Sequence, residues 1–234
     1  MDENKNKDII EAMFKAGAHF GYNKSRRHAS TTPFIFGVKN KTEIIDLVQT
    51  AELLEKAMDF VKNLAKDGKQ LLFVGSKNES LKAIKNTALA TDMPYVAGRW
   101  VGGTITNFAE VKKRIAKFED LLSQKEKGEL VKYTKKERLL IDRQIAKLDK
   151  LFSGLVSLKD LPKALFVIDA KKEKIAVAEA RKAGIPVVAL CGTDCNLKEV
   201  NYPIVANDAS VSSISFFTNE IAKAYKSGKV VKKD

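Results

Sequence analysis

The chain has 234 residues, with 42 Lys and Arg against 29 Asp and Glu, a formal net charge of +13 and a pI near 9.5. This length can bury a full core, and a cationic excess of this size points to an anionic partner, nucleic acid first and a membrane surface second. No run of about 18 apolar residues reads as a membrane span, the amino terminus lacks the apolar centre of an export signal, and Cys191 and Cys195 are the only cysteines, so reduced thiols in a cytoplasmic protein are expected.

Asp8 to Lys15 places Ile9, Ile10, Met13 and Phe14 at helical spacing. His19 to Thr42 contains no acid and carries Lys24, Arg26, Arg27, Lys39 and Lys41 beside His19 and His28. Phe34-Ile35-Phe36 and Glu43-Ile44-Ile45-Asp46 flank a polar turn and predict a hairpin. Thr50 to Lys66 is amphipathic, with Leu53, Leu54, Ala57, Phe60, Val61 and Leu64 inward. Strands and helices then alternate. Gln70 to Val74, Tyr95 to Ala97, Ala164 to Ile168, Pro186 to Leu190 and Pro203 to Val205 read as strands; Glu79 to Ala90, Ile175 to Ala183 and Val211 to Tyr225 read as helices. The strands are near-continuous apolar runs, as in a parallel sheet covered on both faces. The alternation predicts an α/β fold with a doubly wound parallel sheet, Rossmann- or flavodoxin-like.

Phe108 to Leu155 breaks this rhythm. Val111, Ile115, Phe118 and Leu122 recur at steps of four, three and four, as do Ile141, Ile145, Leu148, Phe152 and Leu155 after a polar turn. That is the seam of an inserted two-helix antiparallel coiled-coil hairpin. Thr134 and Glu137 fit a capping box at the start of its second helix. The expected organisation is a sheet domain over residues 1–107 and 156–226, the hairpin over 108–155, and a basic flexible tail over 227–234.

Candidate chemistry is sparse. Gly75-Ser76-Lys77 follows a strand and opens a helix, where such folds bind phosphate. It lacks both glycine-rich nucleotide fingerprints. An enzyme or binding module for a nucleotide or sugar phosphate would need a defined anion site there. Cys191 and Cys195 have no zinc spacing and no second ligand pair. His19 and His28 accompany no nucleophile elbow; His19 reads as a hydrogen-bond donor at a turn. Asp169 and Glu179 lack a carboxylate partner, and no catalysis is assigned to them. A lysine-rich membrane anchor is disfavoured, because Ile214 to Tyr225 is too apolar and too weakly charged. Among these residues no catalytic set, cofactor or metal site is expected.

The most informative stretch is Gly98-Arg99-Trp100-Val101-Gly102-Gly103-Thr104-Ile105-Thr106-Asn107-Phe108-Ala109-Glu110, which holds the only tryptophan. A glycine pair bares the backbone for close approach to another surface, beside a cation and a flat apolar face. This run resembles the family of the second protein of the small ribosomal subunit. Ala16-Gly17-Ala18-His19-Phe20-Gly21, Pro33-Phe34-Ile35-Phe36-Gly37, Leu72-Phe73-Val74-Gly75-Ser76-Lys77 and Ala183-Gly184-Ile185-Pro186-Val187-Val188-Ala189 agree in family order. The chain departs from the family at Cys191-Gly192-Thr193-Asp194-Cys195-Asn196-Leu197, where Asp-Thr-Asn-Cys-Asp-Pro is usual. It departs again at His28-Ala29-Ser30, where Trp-Asn-Pro is common.

The resemblance implies a structural role in translation, with 16S rRNA and other small-subunit proteins as partners. The large first protein of the subunit is among them, and neither a membrane nor a small-molecule substrate is implied. Lys24, Arg26, Arg27, His28, Lys39, Lys77, Arg99, Lys112, Lys113, Lys135 and Lys136 are the expected rRNA-binding residues. His19, Trp100, Gly102, Gly103 and Asn107 are expected to be structural.

Overall fold

The computed structural model describes residues 3–230. Helix α1 (Glu3–Lys15) leads into a three-stranded antiparallel sheet of β1 (Phe20–Asn23), β2 (Ile35–Lys39) and β3 (Thr42–Ile45), in the order β1-β3-β2. The expected hairpin is β2 and β3. Its turn residues Asn40 and Lys41 sit at φ 51° and 66°, the left-handed pair that matches strand twist in a two-residue turn. The sequence reading does not contain β1. Its four residues pair with β3 only at Phe20–Ile44 and Asn23–Thr42, so no period of two could announce it.

Asp46 is not in a strand but caps α2 (Leu47–Lys66), its carboxylate accepting from Val48 N at 2.9 Å. There follow β4 (Leu71–Gly75), α3 (Asn78–Thr91), β5 (Tyr95–Ala97), α4 (Phe108–Glu126), α5 (Lys135–Phe152), β6 (Ala164–Ile168), α6 (Lys174–Lys182), β7 (Val187–Cys191), β8 (Tyr202–Val205) and α7 (Val211–Val230). β4 to β8 form one parallel sheet in the order β5-β4-β6-β7-β8. That is the flavodoxin-like doubly wound order, with its switch point between β4 and β6.

Successive residues of a strand face opposite sides, and the two cores divide accordingly. Leu71, Phe73, Phe166, Val188 and Ile204 pack with residues of α2, α3 and α7, such as Leu54, Ile84 and Phe217. Leu72, Val74, Leu165, Val167 and Ala189 pack with α6 and with the start of the α4–α5 insertion. Val111, Ile115 and Phe118 of α4 are buried with Ile145, Leu148 and Phe152 of α5. Lys125 and Asp142 pair at 2.7 Å across the two helices. The capping box of Thr134 and Glu137 is formed in both directions. The apolar seam does not close on itself: Trp100, Leu155 and Leu158 join it to the sheet core. At its foot, a Cβ on Gly154 would collide with the Tyr95 carbonyl, so that helix end lies directly on β5.

α7 runs five residues beyond its expected end. Gly228 is buried against α2, where a Cβ would strike the Lys62 carbonyl. Residues 227–230, expected in the tail, are therefore helix held by packing. Residues 231–234 lie outside the described residues.

Candidate nucleic-acid interface

The carboxyl ends of β4 and β6 form the crevice where doubly wound folds hold ligands. Gly75 is required there by contact, since a Cβ would lie 2.7 Å from Ser80 Oγ on α3. Lys77 follows, but its side chain turns inward. Its Nζ lies 2.8 Å from Asp169 Oδ2 and 2.9 Å from Asp208 Oδ2. It also donates to the Asp208 carbonyl and to the Tyr22 hydroxyl. Asp169 adopts φ 65° at the end of β6, and its other oxygen accepts from Lys172 N at 3.0 Å. Glu173 accepts from Ser76 N at 2.9 Å.

Burial pulls the Lys77 ammonium down, but Asp208 and Asp169 outweigh it and hold the group above its ordinary range. Burial pushes the Asp208 carboxyl up, against the pull of Lys77. Burial, and then Asp208, push the Tyr22 hydroxyl up to about 12. The hydrogen bond with Cys195, and then burial, hold the Cys191 thiol well above its usual value, so it is a structural thiol.

Asp169, Cys195 and Asp208 bring ligand atoms within 4.8 Å of one another, yet the Lys77 ammonium already bridges the two carboxylates. A phosphate entering here would meet Asp169, Glu173 and Asp208, and the lysine and amide that would hold it are engaged. The expected contact of Lys77 with rRNA is corrected accordingly: Lys77 is 8% exposed and serves as an internal cation.

The acid-free segment divides in the same way. Lys24, Lys39 and Lys41 are exposed and, among the described residues, form no ion pair. Arg26 lies over the Tyr22 ring at 4.6 Å and 3.5 Å from Asp194. Arg27 reaches inward to 3.2 Å from Glu43, which is fully buried on β3. His28 caps the turn over residues 29–34, its Nδ1 accepting from Ser30 N at 3.2 Å. A buried carboxylate needs a partner more than a solvated phosphate does, so Arg27 turns inward to Glu43, while His28 is engaged by Ser30. His19 differs from expectation too. Its ring is sandwiched by Phe14 and Phe20, with centroids at 4.5 and 4.0 Å, and Nδ1 has no partner. Its backbone carbonyl accepts from Ile45 N at 2.8 Å, which ties the start of β1 to the end of β3.

The loop from Gly98 to Asn107 is organised by one residue of α6. Glu179 Oε1 accepts from Trp100 Nε1 at 3.1 Å and from Gly103 N at 2.8 Å. Its Oε2 accepts from Ile105 N, Thr106 N and Thr106 Oγ1 at 3.0, 3.2 and 3.3 Å. Burial would raise this carboxyl, but the amides of Gly103 and Ile105, with Trp100 and Thr106, hold it below the ordinary range. Trp100 is buried against both the sheet and the insertion. Gly103 sits at φ 91° and is needed for that angle. A Cβ on Gly102 would meet nothing within 4 Å. Asn107 precedes α4, but its side chain makes no capping bond; its amide donates to Gly103 O at 2.8 Å. Its structural role is therefore carried by backbone.

Arg99 is exposed, and both carboxylates that might draw it inside, Asp46 and Asp169, are engaged elsewhere. The clamped loop separates two grooves. One, of about 650 Å³, is edged by Lys174, Arg181 and Lys182. The other, of about 580 Å³, is edged by Arg114 and Lys147. On the insertion, Lys113 pairs with Glu110 at 2.6 Å and Lys112 loosely with Asp160 at 3.7 Å. Lys135 and Lys136 are exposed in the first turn of α5.

The sequence reading gives no role to Glu179, Glu43, Asp194 or Asp208, and omits the cations along the grooves. One signal for Glu179 is present: it follows Ala176 by three and precedes Ala180 by one, on the buried face of α6.

A family model described as Ribosomal protein S2 matches residues 13–228. A relative named small ribosomal subunit protein uS2, from Coprothermobacter proteolyticus, is 42% identical over 220 residues, covering 94% of this chain and 82% of the relative. A relative of the same name from Helicobacter hepaticus is 41% identical over 228 residues, covering 97% and 85%. A third, from a Nitratiruptor species, is 42% identical over 223 residues, covering 95% and 82%.

Proposed function

The chain belongs to the ribosomal protein S2 family, and on that premise we propose that it binds 16S rRNA through the Glu179-clamped loop and the unpaired cations around it. It is a structural protein of the small subunit and not an enzyme, as the naming of its relatives indicates. Within the cytoplasmic ribosome it associates with rRNA and with neighbouring small-subunit proteins, the large first protein of the subunit among them. The α4–α5 pair acts as a coiled-coil arm toward these components, with Lys112, Lys113, Lys135 and Lys136 along it.

The observation that carries the reading is the division of cations into two classes. Those near buried acids are consumed by the fold. Lys24, Lys39, Arg99, Lys135 and Lys136 are left without a carboxylate among the described residues and face outward. A planar guanidinium such as Arg99 can bond two phosphate oxygens at once. A nucleotide or sugar-phosphate pocket is the weaker reading, because three acids and Lys77 fill the crevice.

Binding of the full chain to 16S rRNA across a salt series is the test. The logarithm of affinity should fall linearly with the logarithm of salt, and Lys24→Ala should reduce the slope by about 1. A salt-independent affinity, or none, overturns the proposal.

A further inference from the structure

The groove between Gly102 and the foot of the α4–α5 pair rests on core side chains but has a polar rim that the fold itself does not use. Its floor is apolar, made by Val101, Leu148, Leu151 and Phe152. Its rim carries two cations, Arg114 and Lys147, and two amides, Asn107 and Gln144. All four rim side chains are exposed and have no hydrogen bond or ion pair among the described residues. The one acid on the rim, Glu110, is held by Lys113 at 2.6 Å, so the field over the groove is positive. Gly102 opens into it. Neither packing nor a left-handed φ demands glycine at that position. A flat group lying on the loop backbone would demand it, because any side chain there would stand in its way.

We propose that this groove holds one unpaired nucleotide of RNA. The base lies on the apolar floor against the Gly102 backbone, Asn107 and Gln144 bond its edge, and Arg114 and Lys147 take the flanking phosphate. Sequence-specific RNA contacts favour splayed single-stranded bases over paired ones, and an amide side chain offers both donors and an acceptor to a base edge. The inference rests on the rRNA-binding reading above and assigns it a particular pocket.

The experiment compares the full-length chain with Gly102→Leu and with the double variant Arg114→Ala, Lys147→Ala. Binding to 16S rRNA is measured across salt, followed by incorporation into reconstituted small subunits. Melting temperatures should stay at the wild-type value, since every altered side chain is exposed. Gly102→Leu fills the groove without changing charge. It should weaken RNA binding about fivefold or more, the lower end of what loss of one stacked base costs, at an unchanged salt slope. The double variant should weaken binding and lower the slope by about 1, since both cations meet the same phosphate. Ultraviolet cross-linking should place one nucleotide on the peptide containing Gly102 in the wild type and lose it in Gly102→Leu.

If wild type binds RNA and both variants match it, the groove assignment is overturned while the RNA reading stands. If those variants also fail to enter the subunit, the occupant is a protein and the proposal is equally overturned. If wild type itself does not bind, the RNA reading falls and takes the groove with it.

Discussion

Glu179→Gln isolates the residue that holds the Gly98–Asn107 loop. The carboxylate accepts from four donor groups on two oxygens, the Thr106 hydroxyl being a fifth contact. Glutamine keeps one acceptor oxygen and turns an NH2 toward the donors of the other. Two backbone or indole N–H groups are then left facing a donor. A buried donor without a partner costs roughly 1–3 kcal/mol. Because Thr106 lies at the surface, the lower half of the doubled range applies, about 3 kcal/mol. For a chain of this length that lowers the melting temperature by roughly 6–12 °C.

Trp100 is the only tryptophan and is buried, so its emission reports on this loop directly and should shift red as the loosened loop admits water to the indole. The pH dependence follows from the depressed carboxyl of Glu179. Its contribution is fully present above the ordinary glutamate value of about 4.3 and is lost as pH falls through the lower folded value. Acidification from neutrality should therefore close the gap between wild type and Glu179→Gln. Equal melting temperatures and equal tryptophan emission at neutral pH would refute the clamp.

Lys77→Ala leaves Asp169 and Asp208 buried without their cation, and calorimetry should record a loss of about 3–5 kcal/mol; an unshifted melt would mean that the ammonium is not what holds the crevice. Arg27→Ala strands the buried Glu43 and should cost about 2 kcal/mol, less than a fully buried pair because Arg27 is 26% exposed. Lys24→Ala should leave the melt unchanged, so equal stabilities of these two variants would sink the division of cations. Trp100→Ala should cost roughly 3–5 kcal/mol, whereas Arg99→Lys should keep the melt and weaken rRNA binding; a melt lowered by Arg99→Lys would place Arg99 inside. Replacing residues 120–146 with a Gly-Ser bridge spares Val111, Ile115 and Leu148 and should retain one cooperative transition. Removing 111–151 takes those residues from the shared core and should broaden or abolish it, which circular dichroism melts distinguish.

The parallel strands were legible because they are buried on both faces. Runs such as Leu71–Gly75 and Val187–Cys191 are apolar throughout, and nothing else in the chain competes with that pattern. The helices α4 and α5 were legible because their apolar positions repeat over many turns and the capping box of α5 uses only local geometry. What the sequence could not convey is which charges meet. Arg27 and Glu43 are separated by 16 positions, and Lys77 and Asp208 by 131. Each looks like a surface charge when read locally. The acid-free run from His19 to Thr42 suggested a uniformly RNA-facing segment. Its cations are instead divided by acids that arrive from β3 and from the loop after β7.

The same partition explains why the candidate site moved away from the strand ends. In an open doubly wound sheet the switch point supplies free amides and a nearby cation, and both exist here at Ser76 and Lys77. The fold turns Glu173 onto the amide and Asp169 and Asp208 onto the lysine. It seats Tyr22 and the β1 strand against them. A crevice neutralised in this way is core, and a small anion gains little by entering it. The charge that remains unpaired lies on the outer surface, where Arg99, Arg114, Lys147 and the lysines of α5 face solvent on rigid elements. Charges spread along an outer surface in this way suit a polymer whose phosphates recur better than a single small metabolite. On the rRNA-binding reading proposed above, the Glu179 clamp would fix the glycine loop from inside and let bare backbone and cations meet RNA without a further ordering cost on binding.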